Sequence, residues 1–74
     1  MSRNTTGLKK RSVRIAGHDT SITMEDAFWV VLQDIAKEKG ASINALITDI
    51  DARNDGNLSS ALRVYILQYT LRQH

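Results

Sequence analysis

The sequence predicts a mainly α-helical domain with one short β segment near its N-terminus, completed by a second copy of the chain. Three observations predict it. Residues 12–32 pass abruptly from polar/apolar alternation ending at Thr23 to an acid-headed amphipathic helix. Two further helical periods follow, separated by turn signals. Finally, 42% of the 74 residues are hydrophobic and none is cysteine. That is more apolar surface than so short a monomer covers easily, with no disulfide or thiolate metal site to compensate. A C2 dimer is the commonest remedy.

Residues 1–10 are polar and basic and are expected to form a flexible arm, with the folded domain over 11–74. From Arg11 the pattern alternates, with Val13 and Ile15 on one face and Ser12, Arg14 and Ala16 on the other. Further on, Ile22 and Met24 are apolar between Ser21 and Thr23. The two apolar pairs have opposite parity, so a single flat strand would expose one of them. A bulge or turn near Gly17 reconciles them, and residues 11–23 read equally as one kinked strand or a short hairpin.

Thr23 is expected to cap the first helix, with Asp26 at the capping-box position and Glu25 favourable to the helix dipole. Its apolar stripe is Met24, Phe28, Val31, Leu32 and Ile35, widened by Trp29 and Val30. Lys37 and Lys39 close the helix and Gly40 supplies the left-handed residue beyond it. Ser42 caps a second helix carrying Ile43, Leu46, Ile47 and Ile50. Asn54-Asp55-Gly56-Asn57 is a strong turn signal, and Asn57 caps a third helix with Leu58, Ala61, Leu62, Tyr65, Ile66 and Tyr69 on one face. Val64, Leu67 and Leu71 form a second stripe on it, facing a partner.

Charge is unevenly spread. Residues 1–18 hold Arg3, Lys9, Lys10, Arg11 and Arg14 and no acid, whereas all eight acids lie within 19–55. A cationic segment on a mildly acidic body is a footprint for a polyanion. No apolar run reaches the ~18–20 residues of a membrane span, and the N-terminus lacks the apolar core of a signal peptide; a cytoplasmic location is expected. His18-Asp19 beside Ser21 does not make a hydrolase triad, because adjacent strand residues face opposite ways. Two histidines, His18 and His74, do not make a transition-metal site. The 51–62 segment lacks calcium ligands at Arg53 and Leu62. Trp29, Tyr65 and Tyr69 lie within apolar stripes, where they pack rather than stack on bases. No catalytic residue, metal or cofactor is expected.

Thr20-Ser21-Ile22-Thr23-Met24-Glu25, followed by an apolar helix and Gly40-Ala41-Ser42, resembles the ribbon-helix-helix superfamily of DNA-binding proteins (Arc/MetJ/CopG type). The stretch Ala16–Ile22 through Phe28-Trp29, with Asn57–Arg63, is similar to a small bacterial subgroup of it. The resemblance covers roughly residues 12–71. It implies an intertwined homodimer whose two chains form an intermolecular antiparallel β-ribbon, here with an extra C-terminal helix. Such a ribbon enters the major groove of double-stranded DNA and reads base edges with outward side chains. Carried onto this chain, the outward positions are Asp19, Ser21 and Thr23, with Lys9, Lys10, Arg11, Arg14 and His18 around them. Ala41, Ser42 and Ile43 are the phosphate anchor at the start of the second helix, with Gly56–Ser59 a second candidate. The dimer core is Ile22, Met24, Phe28, Trp29, Leu32, Leu46, Ile47, Leu62, Tyr65 and Ile66. The implied function is a sequence-specific transcriptional regulator, a repressor, with higher-order assembly on DNA left open. The alternative is an antitoxin or adaptor whose main partner is another protein.

Overall fold

Ala16 and Gly17 both have positive φ, 52° and 82°, as the two central residues of a type I′ hairpin turn require. In the computed structural model, which describes residues 8–72, this turn folds β1 (Leu8–Ile15) back on β2 (His18–Glu25). The register runs from Ile15 opposite His18 to Leu8 opposite Glu25. The segment is therefore a two-stranded antiparallel hairpin within the chain. Of the two readings left open for residues 11–23, the hairpin is the one adopted.

The hairpin also resolves the parity conflict. Residues directly opposite one another across an antiparallel pair share a face. Odd positions of β1 and even positions of β2 thus lie together, and Val13, Ile15, Ile22 and Met24 are all buried on one face. Reversal of direction at a two-residue turn is what exchanges the parity. Two boundaries differ from expectation. The first strand reaches back to Leu8, inside the segment assigned to the arm, because Lys9 and Leu8 still find partners in Met24 and Glu25. Residues 1–7 of that arm and His74 lie outside the described residues.

Helix α1 (Asp26–Glu38) begins later than a Thr23 cap would place it. Thr23 and Met24 are held in the strand ladder, so Glu25 is the N-cap and makes no side-chain capping bond. Gly40, at φ 71°, follows the helix as expected, and the Ala41 N–H donates to the Ala36 carbonyl. Helix α2 (Ile43–Ala52) is capped by Ser42, whose hydroxyl accepts from the Ala45 N–H at 3.0 Å. Helix α3 (Leu58–Arg72) is capped by Asn57, which accepts from the Ser60 N–H at 2.9 Å. In the turn before it Asn54 and Gly56 exchange hydrogen bonds, which is the geometry that the Asn-Asp-Gly signal anticipates.

One core joins these elements: Val13, Ile15, Ile22, Met24, Leu32, Ile35, Ala36, Leu46, Ile47, Ile50, Leu62 and Ile66 are buried, and among the described residues no polar or charged one is buried with them. Phe28, Trp29 and Tyr65 pack partly buried against it. Met24 enters this core from β2 rather than from α1, and Val30 is exposed rather than part of the α1 stripe. On α3, Val64, Leu67 and Leu71 are exposed.

Candidate nucleic-acid interface

Strand alternation splits the polar residues of the hairpin into two sets. One face lies on the helices. The other is open and carries Lys10, Ser12 and Arg14 from β1 with Asp19, Ser21 and Thr23 from β2, all exposed. Lys10 lies opposite Thr23, Ser12 opposite Ser21 and Arg14 opposite Asp19. Two-stranded ribbons with a solvated polar face are one of the shapes that fit a major groove.

Of the residues expected to meet DNA, Lys10, Arg14, Asp19, Ser21 and Thr23 share this open face. Lys9, Arg11 and His18 have the opposite parity and point to the helix side. His18 is exposed at the turn. Lys9 and Arg11 both pair with Asp26, Lys9 at 3.2 Å, and the Arg11 guanidinium lies 4.8 Å from the Trp29 ring centroid. On the other side of the same helix start, Arg63 donates to Glu25 at 2.9 and 3.1 Å and lies over Phe28. Consecutive acids thus hold one arginine from β1 and one from α3, and consecutive aromatics carry them. This clamp fixes the N-terminus of α1 where no side-chain cap does, and anions there also suit the helix dipole.

These contacts set the charge of the two acids. The Glu25 carboxylate is held below its ordinary range by its own backbone N–H and then by Arg63. Asp26 is held below its range by the hydrogen bond from Lys9 and then by that from Arg11, against partial desolvation.

The open face is not flat. An open cleft of about 840 Å³ is lined by Lys10, Ser12, Val13 and Arg14 of β1, Asp19, Thr20 and Ser21 of β2 and, from α2, Asn44. Asn44 accepts the Arg14 backbone N–H at 3.4 Å, tying the free edge of β1 to the start of α2. Sequence reading missed Asn44. A lone amide in the first turn of a helix looks like any solvated residue, and only the tertiary packing brings it beside the hairpin. Around the expected phosphate anchor, the Ala41 N–H and the Ser42 hydroxyl are both engaged within the chain, and Ile43 is half-buried. Asn57, in the second candidate anchor, is likewise engaged as a helix cap.

Among the described residues, no group of three or more His, Asp or Glu side chains is placed to hold a metal. No helix there is long and apolar enough to cross a membrane.

Comparison with known proteins gives a family and a solved structure. The family model described as ribbon-helix-helix domain matches residues 8–70. The fold is similar to that of an uncharacterized protein from Bordetella pertussis Tohama I, with a TM-score of 0.79 and 32% sequence identity. The likeness covers 93% of this chain and 60% of that one, so this chain spans under two thirds of the longer protein. No curated protein matches the sequence.

Proposed function

Because this chain belongs to the ribbon-helix-helix domain family, whose members are DNA-binding regulators, we propose that it is a sequence-specific transcriptional repressor of a bacterial cytoplasm. The observation that carries the reading is the hairpin, which packs Val13, Ile15, Ile22 and Met24 on the helices with one face and holds a run of exposed polar side chains, with Leu8 at its end, on the other. Laid in the major groove, this face presents hydroxyls at Ser12, Ser21 and Thr23 to base edges and the Lys10 ammonium to the backbone. Short hydroxyls can donate or accept, so they complement either edge pattern. Bound there, the protein occludes the duplex from other proteins.

The homodimer belongs to the same proposal. The groove admits two strands, and each chain supplies two. A second copy then adds a second hairpin, about 34–36 Å away on half-sites one helical turn apart. The apolar residues that α3 leaves exposed, Val64, Leu67 and Leu71, suit a protein contact. They also favour the second reading, an antitoxin or adaptor, in which a different protein covers them.

Selection of fragmented genomic DNA on the purified chain tests the proposal, followed by fluorescence anisotropy over a salt series. The expected result is an enriched duplex motif bound with an affinity that falls linearly in log–log salt plots. Failure to enrich any duplex, at low salt as well as at physiological salt, sinks the regulator reading and leaves the protein-partner one.

A further inference from the structure

Asp19 is an anomaly on a DNA-facing surface, because a carboxylate there repels the phosphates on both sides of the groove. Its contacts supply a reason for it. The Arg14 Nη1 donates to Asp19 Oδ1 at 2.9 Å and its Nη2 donates to the Gly17 carbonyl at 3.3 Å. The Arg14 backbone is held as well, through the N–H given to Asn44. Arg14 is thus fixed at its main chain and at both terminal nitrogens, yet its side chain remains 63% exposed and that of Asp19 83%. An ion pair this exposed contributes little to folding. Its effect is on where the guanidinium points.

Resting on the DNA-binding reading above, we infer that Arg14 reads a guanine and that Asp19 is the positioning residue that aims it. A guanidinium has five N–H donors in a rigid fork. Two are taken by Asp19 and Gly17, one from each terminal nitrogen, which leaves one on each terminal nitrogen and the Nε–H. Guanine offers N7 and O6 side by side in the major groove, the pair that an arginine fork contacts bidentately. Holding the fork in advance removes rotamer entropy that binding would otherwise have to overcome. The location supports this role. Arg14 and Asp19 are opposite one another one step from the hairpin turn, at the tip of the ribbon, where a long side chain can reach past the short hydroxyls of Ser12 and Ser21.

Asp19 therefore acts with opposite signs on non-specific and specific binding, and an experiment can separate the two. Full-length wild-type protein and the variants Arg14→Ala, Arg14→Lys, Asp19→Ala and Asp19→Asn are each used to select from a randomised duplex pool. Each is then titrated against the wild-type motif and an unrelated duplex, with thermal melts by circular dichroism to verify folding. The wild-type motif is expected to contain an essential G·C pair. Arg14→Ala relaxes the preference at that pair by about 5- to 150-fold, and Arg14→Lys, a point charge without a fork, does not restore it. Asp19→Ala binds the unrelated duplex more tightly, having lost a negative charge, but binds the motif less tightly. Asp19→Asn, which keeps an oxygen acceptor for Arg14, retains part of the preference. Three outcomes overturn the inference. In the first, Arg14→Ala leaves the preference at every position intact. In the second, Asp19→Ala tightens both duplexes equally, making Asp19 a repelling charge only. In the third, a preference lost in Asp19→Ala but kept in Arg14→Ala means that Asp19 itself accepts from a cytosine amino group. Should the wild type select no sequence at all, it is the DNA-binding reading that fails, and this inference with it.

Discussion

Lys9 and Lys10 are adjacent in the chain, but strand alternation sends them to opposite faces of the hairpin. Lys10 stands on the open face. Lys9 reaches Asp26 on the helix side, next to Arg11, whose guanidinium is sandwiched between that acid and Trp29. The basic run 9–11 is therefore not one patch, and its members should respond differently to replacement. Lys10→Ala is expected to lower the slope of log K against log salt by about 0.9, the loss of one phosphate contact, while leaving the thermal midpoint unchanged. Arg11→Ala should leave the slope in place and lower the midpoint, since the Trp29 contact alone is worth about 0.5–2 kcal/mol. Anisotropy titrations and melts on the same two proteins check both halves. A slope that falls equally in the two variants would place Arg11 on the DNA and the face assignment would be wrong.

Among the elements, the hairpin shows best what the chain reveals unaided and what it hides. Opposite parity of Val13/Ile15 and Ile22/Met24 requires a break in the flat strand, and Gly17 marks where, but a kinked strand meets that rule as well as a hairpin does. What decides is Ala16, which takes φ 52°, a conformation a residue with a Cβ adopts at a cost and which no local pattern announces. Helix ends with a side-chain or glycine signal, Ser42, Asn57 and Gly40, stand where the sequence puts them. The start of α1 does not, because strand pairing of Thr23 and Met24 outcompetes a capping box. Its replacement, the Arg11 and Arg63 clamp, joins residues 15 and 38 positions apart, beyond the reach of any spacing rule. Asn44 is hidden from sequence for the same reason. The turn itself offers a test. Ala16→Asn creates Asn-Gly, the preferred pair for this turn, and relieves about 1 kcal/mol of backbone strain. The melting temperature should rise by roughly 4–8 °C with DNA binding retained; a fall would mean that the turn is not of this type.

For the whole molecule, the buried core is wholly apolar among the described residues, so the acid response of stability falls to the partly exposed clamp. Glu25 and Asp26 are both held below their ordinary range in the folded chain, Glu25 by its own N–H and Arg63, Asp26 by Lys9 and Arg11. A carboxyl depressed by folding stabilises the fold at pH values above its unfolded pKa, about 4. That contribution is lost as pH falls through the lower folded value. Urea midpoints should therefore be level above about pH 5 and decline below about pH 4. In Glu25→Gln and Asp26→Asn the neutral midpoint should be lower and the acid decline shallower. Equal declines in wild type and variants would show that the clamp does not respond to titration. The in-chain hairpin has a consequence of a different kind, in time rather than in energy. A ribbon built from two chains comes into being only when they meet, at a rate set by how many copies the cell holds. Here a two-residue turn brings the strands together within one molecule, and hairpins of this sort close in about 1–10 μs. A newly made chain thus sets Lys10, Ser12 and Arg14 beside Asp19, Ser21 and Thr23 as soon as it folds, with no wait for a second copy to pair these two strands.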